Sequence, residues 1–130
     1  MKIAITAKTN ELESEVDPRF GRCRYFLVVD IETMDFDSIS NESAMASGGA
    51  GIQAAQTLAK AGVELVITGN IGPNAFQTLT AAGIKVFTGA NGTIKQVIEK
   101  HKLGELKETE NPSVNNHFGM KAVGKGFGRG

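Results

Sequence analysis

Residues 61–69 read AGVELVITG and residues 82–89 read AGIKVFTG, two runs 21 residues apart on one plan. In each, a glycine follows a helical stretch, a short β-branched strand comes next, and a Thr-Gly pair ends it. Gly62 and Gly83 suit the left-handed position that closes a helix, and Val63–Thr68 and Ile84–Thr88 read as strands. Two copies are too few for a solenoid. Consecutive helix–strand units instead imply parallel strands joined by right-handed crossovers.

Working outward, helical periodicity precedes each run. Ile52, Ala55, Leu58 and Ala59 share one face of a first helix, with Gln53, Gln56 and Lys60 opposite. Pro73 fits the first position of a second helix, whose expected buried stripe is Phe76, Leu79 and Ala82. Thr93 and Gln96 have the spacing of a capping box. They open a third helix that buries Ile94, Val97 and Ile98, carries His101 and Lys102 at its C-terminal dipole, and stops at Gly104. Toward the N-terminus, Lys2–Thr6 is a short strand and Tyr25–Val29 an apolar run suited to a strand buried on both faces. Residues 30–33 make a turn into Met34–Ser40, an edge strand carrying Asp35 and Asp37. The expected order is βββαβαβα, an α/β fold around a five-stranded sheet.

The chain has 130 residues, enough for one domain. Fourteen basic and fourteen acidic residues balance to zero net charge, which argues against a nucleic-acid coat or a polybasic membrane binder. Cys23 stands alone, so neither an intramolecular disulfide nor a CxxC zinc site is available. No run has the length of a secretory or membrane-spanning segment, and the expected location is cytoplasmic. Sixteen glycines are about twice the usual share of roughly 7%. From residue 111 onward, glycines space out Lys121, Lys125 and Arg129 with no acid. The expected organisation is one α/β domain over 1–110 and a flexible basic tail over 111–130.

The element order gathers one set of loops at one edge of the sheet. An antiparallel hairpin of the first two strands brings loop 17–24 to the C-terminal end of the first. The third strand finishes there, the glycine loop 48–51 follows it, and both parallel strands end there. Open α/β sheets bind ligands in this crevice, and helix N-termini attract anions. Asp17 against Arg19, Arg22 and Arg24 leaves loop 17–24 at +2. The residues describe a pocket for a small anion, with Cys23 as one soft donor.

The combination RFGRC at 19–23, GGAGIQAA at 48–55, VITGNIGPNAF at 66–76 and AAGIKV at 81–86 resembles the dinitrogenase iron–molybdenum cofactor biosynthesis family over roughly residues 1–105. The resemblance implies a ribonuclease-H-like fold, with a mixed five-stranded sheet and helices on both faces. It also implies a carrier rather than a catalyst, binding iron–sulfur or molybdenum-containing sulfide clusters or their precursors and exchanging them with cluster-assembly proteins.

The candidate binding residues are Arg19, Arg22, Cys23, Gly48, Gly49, Gly51, Asn70, Gly72 and Asn74. Cys23 and His117 are the candidate metal ligands. A thiolate at Cys23 suits soft metals, and Arg22 and Arg24 are expected to lower its pKa; the plainer reading is a small buried hydrophobe at a strand start. One thiolate cannot hold an iron–sulfur cluster, which takes about four, so a bound cluster would be pre-formed, held partly by charge, or shared between two chains. The glycines of 48–51 serve either as an anion cradle or as close packing. Gly49-x-Gly51-x-x-Ala54 matches a dinucleotide fingerprint formally but should follow a strand directly, and about seven loop residues intervene. Gly69–Asn74 is an anion turn or simply a helix start. His117 either closes over a metal or stays solvated.

Nuclease chemistry needs clustered carboxylates. The first strand has none, and Asp30, Asp35 and Asp37 fall at the opposite edge. With two histidines, one at a helix end and one in the tail, no Ser–His–Asp arrangement is available. The expected function is a non-enzymatic cluster carrier, as monomer or homodimer. The alternative is a module that binds a phosphorylated metabolite or nucleotide in the same crevice. A third possibility is docking of a partner by the basic tail.

Overall fold

Alternation of Ile3 and Ile5 with Ala4 lets the first strand bury both faces, and the sheet grows around it. The computed structural model describes residues 1–41 and 49–112. Strand β1 (Lys2–Ala7) lies at the centre of a five-stranded sheet of order β3-β2-β1-β4-β5. Strands β2 (Tyr25–Asp30) and β3 (Phe36–Ser40) pair antiparallel on one side. Strands β4 (Leu65–Ile67) and β5 (Lys85–Phe87) add in parallel on the other. The sheet is therefore mixed, and helices α1 (Ala50–Lys60), α2 (Pro73–Ala81) and α3 (Ile94–Lys102) complete the order βββαβαβα.

Two apolar clusters sandwich the sheet. Ala4, Phe26, Val28, Val66 and Val86 point to the first, where Ala54, Ala55 and Leu58 of α1 and Ala75 and Leu79 of α2 cover them. Ile3, Ile5, Leu27, Val29, Leu65 and Ile67 point to the second, covered by Ile94, Val97 and Ile98 of α3. The third helix buries its expected stripe. The other two do not: Ile52 and Ala59 are exposed in α1, and in α2 Phe76 is half-buried while Ala82 is the exposed residue after the last turn. The cause is the contact between the two helices. A Cβ built on Gly51 would lie 3.2 Å from the Ala75 methyl, so the helices meet on small residues and rotate their larger neighbours outward.

Helix ends follow the local signals. Gly62, Gly83 and Gly104 have φ of +78°, +79° and +73° just beyond the three helices, and the Thr93–Gln96 capping box is formed in both directions. The β2–β3 turn departs from expectation. Met34 sits in it at φ +66°, and Asp30 N–H donates to Asp35 O at 2.9 Å, so β3 begins at Phe36. After α3 the chain folds back antiparallel along β5. Thr109 N–H donates to Val86 O at 2.7 Å, and the Thr88 and Thr109 hydroxyls lie 2.6 Å apart. Gly48, His117 and the tail from 113 to 130 lie outside the described residues.

Candidate functional site

All five strands present an end to one edge, and loop 8–24 lies across it in two halves. The first half closes the N-terminus of α3. Ile94 N–H donates to Ser14 O at 2.8 Å, Lys95 N–H to Leu12 O at 3.3 Å, and Lys95 Nζ pairs with Glu13 at 3.0 Å. With the Thr93 cap added, that helix start has its donors engaged. It drops out of the set of N-termini that an anion would meet.

The second half, Asp17–Arg24, lies over the N-termini of α1 and α2. Thr6 Oγ1 donates to Asp17 O at 2.6 Å and lies 2.9 Å from Thr68 Oγ1, both threonines fully buried. Asn70 N–H donates to Pro18 O at 2.8 Å, and Phe20 N–H to Asn70 O at 3.1 Å. Glycines permit this approach. A Cβ on Gly69 would stand 2.6 Å from Pro18 Cα, and one on Gly21 2.9 Å from Gly51 Cα. Gly21 and Gly51 therefore bring loop and α1 backbone against backbone, and Gly51 makes room for the Ala75 methyl of α2. Of the two readings of the glycine loop, close packing explains Gly51. Gly49, at φ +74°, has open space where a side chain would be.

Neither α1 nor α2 has a side-chain cap or an acidic residue in its first turn; their N-caps are Gly49 and Gly72. The dinucleotide fingerprint does not hold, because β3 is an antiparallel edge strand ending at Ser40 and α1 starts at Ala50. The structure brings Arg19, Arg22, Cys23, Gly49, Gly51, Asn70, Gly72 and Asn74 to this edge. Arg19, Arg22 and Asn74 are exposed; Asn70 is half-buried, and its Nδ2 lies 3.5 Å from Pro18 O.

Cys23 departs from its expected chemistry. It has no exposed surface and packs with Phe20 and Phe26 in the cluster beneath α1 and α2. Burial pushes its thiol up to about 12, and the buried Asp17 carboxylate adds to the rise. Backbone hydrogen bonds at Gly21, Cys23 and Ala7 only partly oppose it. Arg22 and Arg24 extend into solvent, where water screens them. At neutral pH Cys23 is therefore a protonated thiol, not a thiolate.

Ion pairs among the described residues are Lys8–Glu15, Arg19–Asp17 and Lys95–Glu13, and none uses Arg22 or Arg24. The Arg19 pair is loose: Nε stands 3.7 Å from Asp17 Oδ1, while that oxygen accepts the Arg19 N–H at 3.0 Å. The edge thus combines two guanidinium groups without a carboxylate partner among the described residues, a third partly paired, and two helix N-termini without side-chain caps. No three His, Cys, Asp or Glu side chains among the described residues are grouped to hold a metal ion. Asp30, Asp35 and Asp37 line a cavity of about 270 Å³ with Lys2 at the opposite edge, so they cannot serve this site.

Sequence reasoning missed Asn41, the residue after β3. It is 4% exposed, and its Nδ2 donates to Gly21 O at 2.9 Å and Cys23 O at 3.0 Å. Its sequence signal, a polar residue after a polar edge strand, is that of an ordinary loop.

The site is an α/β sheet edge at which an arginine-bearing loop lies over two helix starts. The chain belongs to the dinitrogenase iron–molybdenum cofactor family, whose profile matches residues 1–104. The apo orange protein of Desulfovibrio gigas is similar at 43% identity and a TM-score of 0.83, covering 85% of this chain and 94% of that one. A Thermotoga protein described as a candidate NifB protein is 36% identical with a TM-score of 0.72, covering 82% and 91%. An uncharacterized protein of Methanocaldococcus jannaschii is 33% identical over 113 residues, 85% of this chain and 92% of its own length. No helix among the described residues is long and apolar enough to cross a membrane.

Proposed function

We propose that this chain is a non-enzymatic carrier or scaffold for a pre-formed anionic metal–sulfide cluster of the iron or molybdenum type. The carrying observation is the division of the sheet edge. One helix start is engaged by its own loop and cap, whereas those of α1 and α2 sit beneath the arginine loop without side-chain caps. Anionic sulfides suit N–H donors and guanidinium groups. Such a cargo arrives with its own sulfur ligands, so it needs no thiolate from Cys23. Membership of a cofactor-biosynthesis family supports a place between cluster-assembly proteins.

The protein, handled without oxygen, is loaded with iron or molybdate plus sulfide, desalted, and measured for visible absorption and metal. Stoichiometric metal with a charge-transfer band is expected. A colourless, metal-free protein after every loading would remove the reading. The buried thiol also favours a second occupant that needs none, a phosphorylated metabolite or nucleotide at the same edge. It would displace tetrathiomolybdate in competition, whereas for the cluster carrier millimolar phosphate compounds leave the sulfide bound.

A further inference from the structure

We infer that Asn41 is a positioning residue that turns the backbone N–H groups of Arg22 and Arg24 outward, so that these amides and their two guanidinium groups form the anion-facing surface of the loop. The inference rests on the carrier reading and extends it to two residues, Asn41 and Arg24, outside the candidate set.

An asparagine amide has two N–H donors, and both are used at Asn41: Nδ2 donates to Gly21 O at 2.9 Å and to Cys23 O at 3.0 Å. The Asn41 main-chain N–H donates to Arg24 O at 2.9 Å, which anchors the residue to the start of β2. The described peptides are all trans. In a planar trans peptide the C=O and the next N–H point in opposite directions. The carbonyls of Gly21 and Cys23 both turn inward to Asn41, so the N–H groups of Arg22 and Arg24 turn away from it. Peptides 21–22 and 23–24 thus share one orientation, carbonyl inward to Asn41 and N–H outward. Two N–H groups on the same side of the loop, each beside its own guanidinium, can donate charge-assisted hydrogen bonds to one anion. Arg22 and Arg24 are exposed, and neither belongs to an ion pair among the described residues. In this arrangement Cys23 is a buried core residue beneath the loop rather than a contact to cargo.

Asn41→Asp is the sharpest variant. It keeps the shape but sets a second oxygen against two carbonyl oxygens. The test uses the full chain with tetrathiomolybdate as probe, amide hydrogen exchange by NMR, and equilibrium binding. In the wild-type protein the Arg22 and Arg24 amides should exchange freely without probe and slow at least ~10-fold with it, the protection of a charge-assisted hydrogen bond. Asn41→Asp should weaken probe binding by ~10-fold or more, equivalent to one or two such bonds. Thr109→Val, which breaks the hydroxyl pair with Thr88 beside β5, is the control for lost stability and should leave affinity within twofold. Arg22 and Arg24 amides that are protected in the free protein would overturn the inference. So would probe binding that leaves both unprotected, or an Asn41→Asp protein that binds like wild type. If Asn41→Asp does not fold, the wild-type exchange pattern decides alone. A wild-type protein that binds no probe sinks the carrier reading instead, and exchange in the free protein still decides the loop orientation.

Discussion

At Cys23 burial outweighs nearby positive charge. Two adjacent arginines would lower a surface thiol, but here the sulfur lies under Phe20 with the Asp17 carboxylate close by, and both effects push its pKa upward. The direction has a consequence for stability. The folded value of about 12 exceeds the ordinary 9.0, so the folded state holds this proton more tightly than the unfolded chain. The contribution is complete below pH 9 and is lost as pH rises toward 12. Denaturant titrations should therefore show wild-type stability falling relative to Cys23→Ser across that window, with no such difference between pH 6 and 8. In native buffer the thiol should resist alkylation, its reaction rate following global unfolding. Rapid labelling of the folded protein would contradict its placement. The sequence places this cysteine correctly at the head of a strand, but not its environment. The flanking arginines are adjacent along the chain, whereas the α1 and α2 residues of the cluster that buries the sulfur arrive through the fold.

Among the elements, signals written within one turn of chain are legible and those that depend on a neighbour are not. The Thr93–Gln96 box, Pro73 at the start of α2 and Gly62 after α1 are all local, and each forms as read. Ile52 and Phe76 look like core residues by periodicity alone, but the α1–α2 contact at Gly51 and Ala75 sets the rotation of both helices. Two substitutions separate these kinds of interaction. Thr93→Ala should cost about 1 kcal/mol, as for other N-cap deletions, and leave anion affinity unchanged, because α3 stands outside the site. Gly69→Ala should cost about 1–3 kcal/mol, since its Cβ would meet Pro18 backbone at 2.6 Å. It should also weaken anion binding by displacing loop 17–20. Thermal melts paired with binding isotherms check both. Equal effects of the two variants on affinity would mean that the edge is not divided as described.

At the scale of the molecule, strand direction carries the site. The order βββαβαβα with two antiparallel pairings, β1–β2 and β2–β3, brings the loop and both glycine turns to one edge, and that much is readable from turn signals and period. The closure of α3 by residues 12–16 is not, because it depends on how a loop without regular periodicity crosses the edge. The profile match ends at residue 104, and Glu108 and Thr109 beyond it still pair with β5. A chain ending at Pro112 is therefore expected to keep its fold and its anion affinity. Loss of anion binding on removing residues 113–130 would bring His117 or the basic residues back into the site; loss of a partner in pull-down, with anion binding kept, would assign them to docking.

The central claim is that charge and backbone N–H groups at this edge hold the cargo, without the thiol. It is tested most directly by loading Cys23→Ser and Arg22→Gln/Arg24→Gln proteins side by side with tetrathiomolybdate, desalting them, and counting molybdenum. Cys23→Ser is expected to retain the metal as wild type does and the double arginine variant to lose most of it. Metal lost from Cys23→Ser and kept by the arginine variant would contradict it.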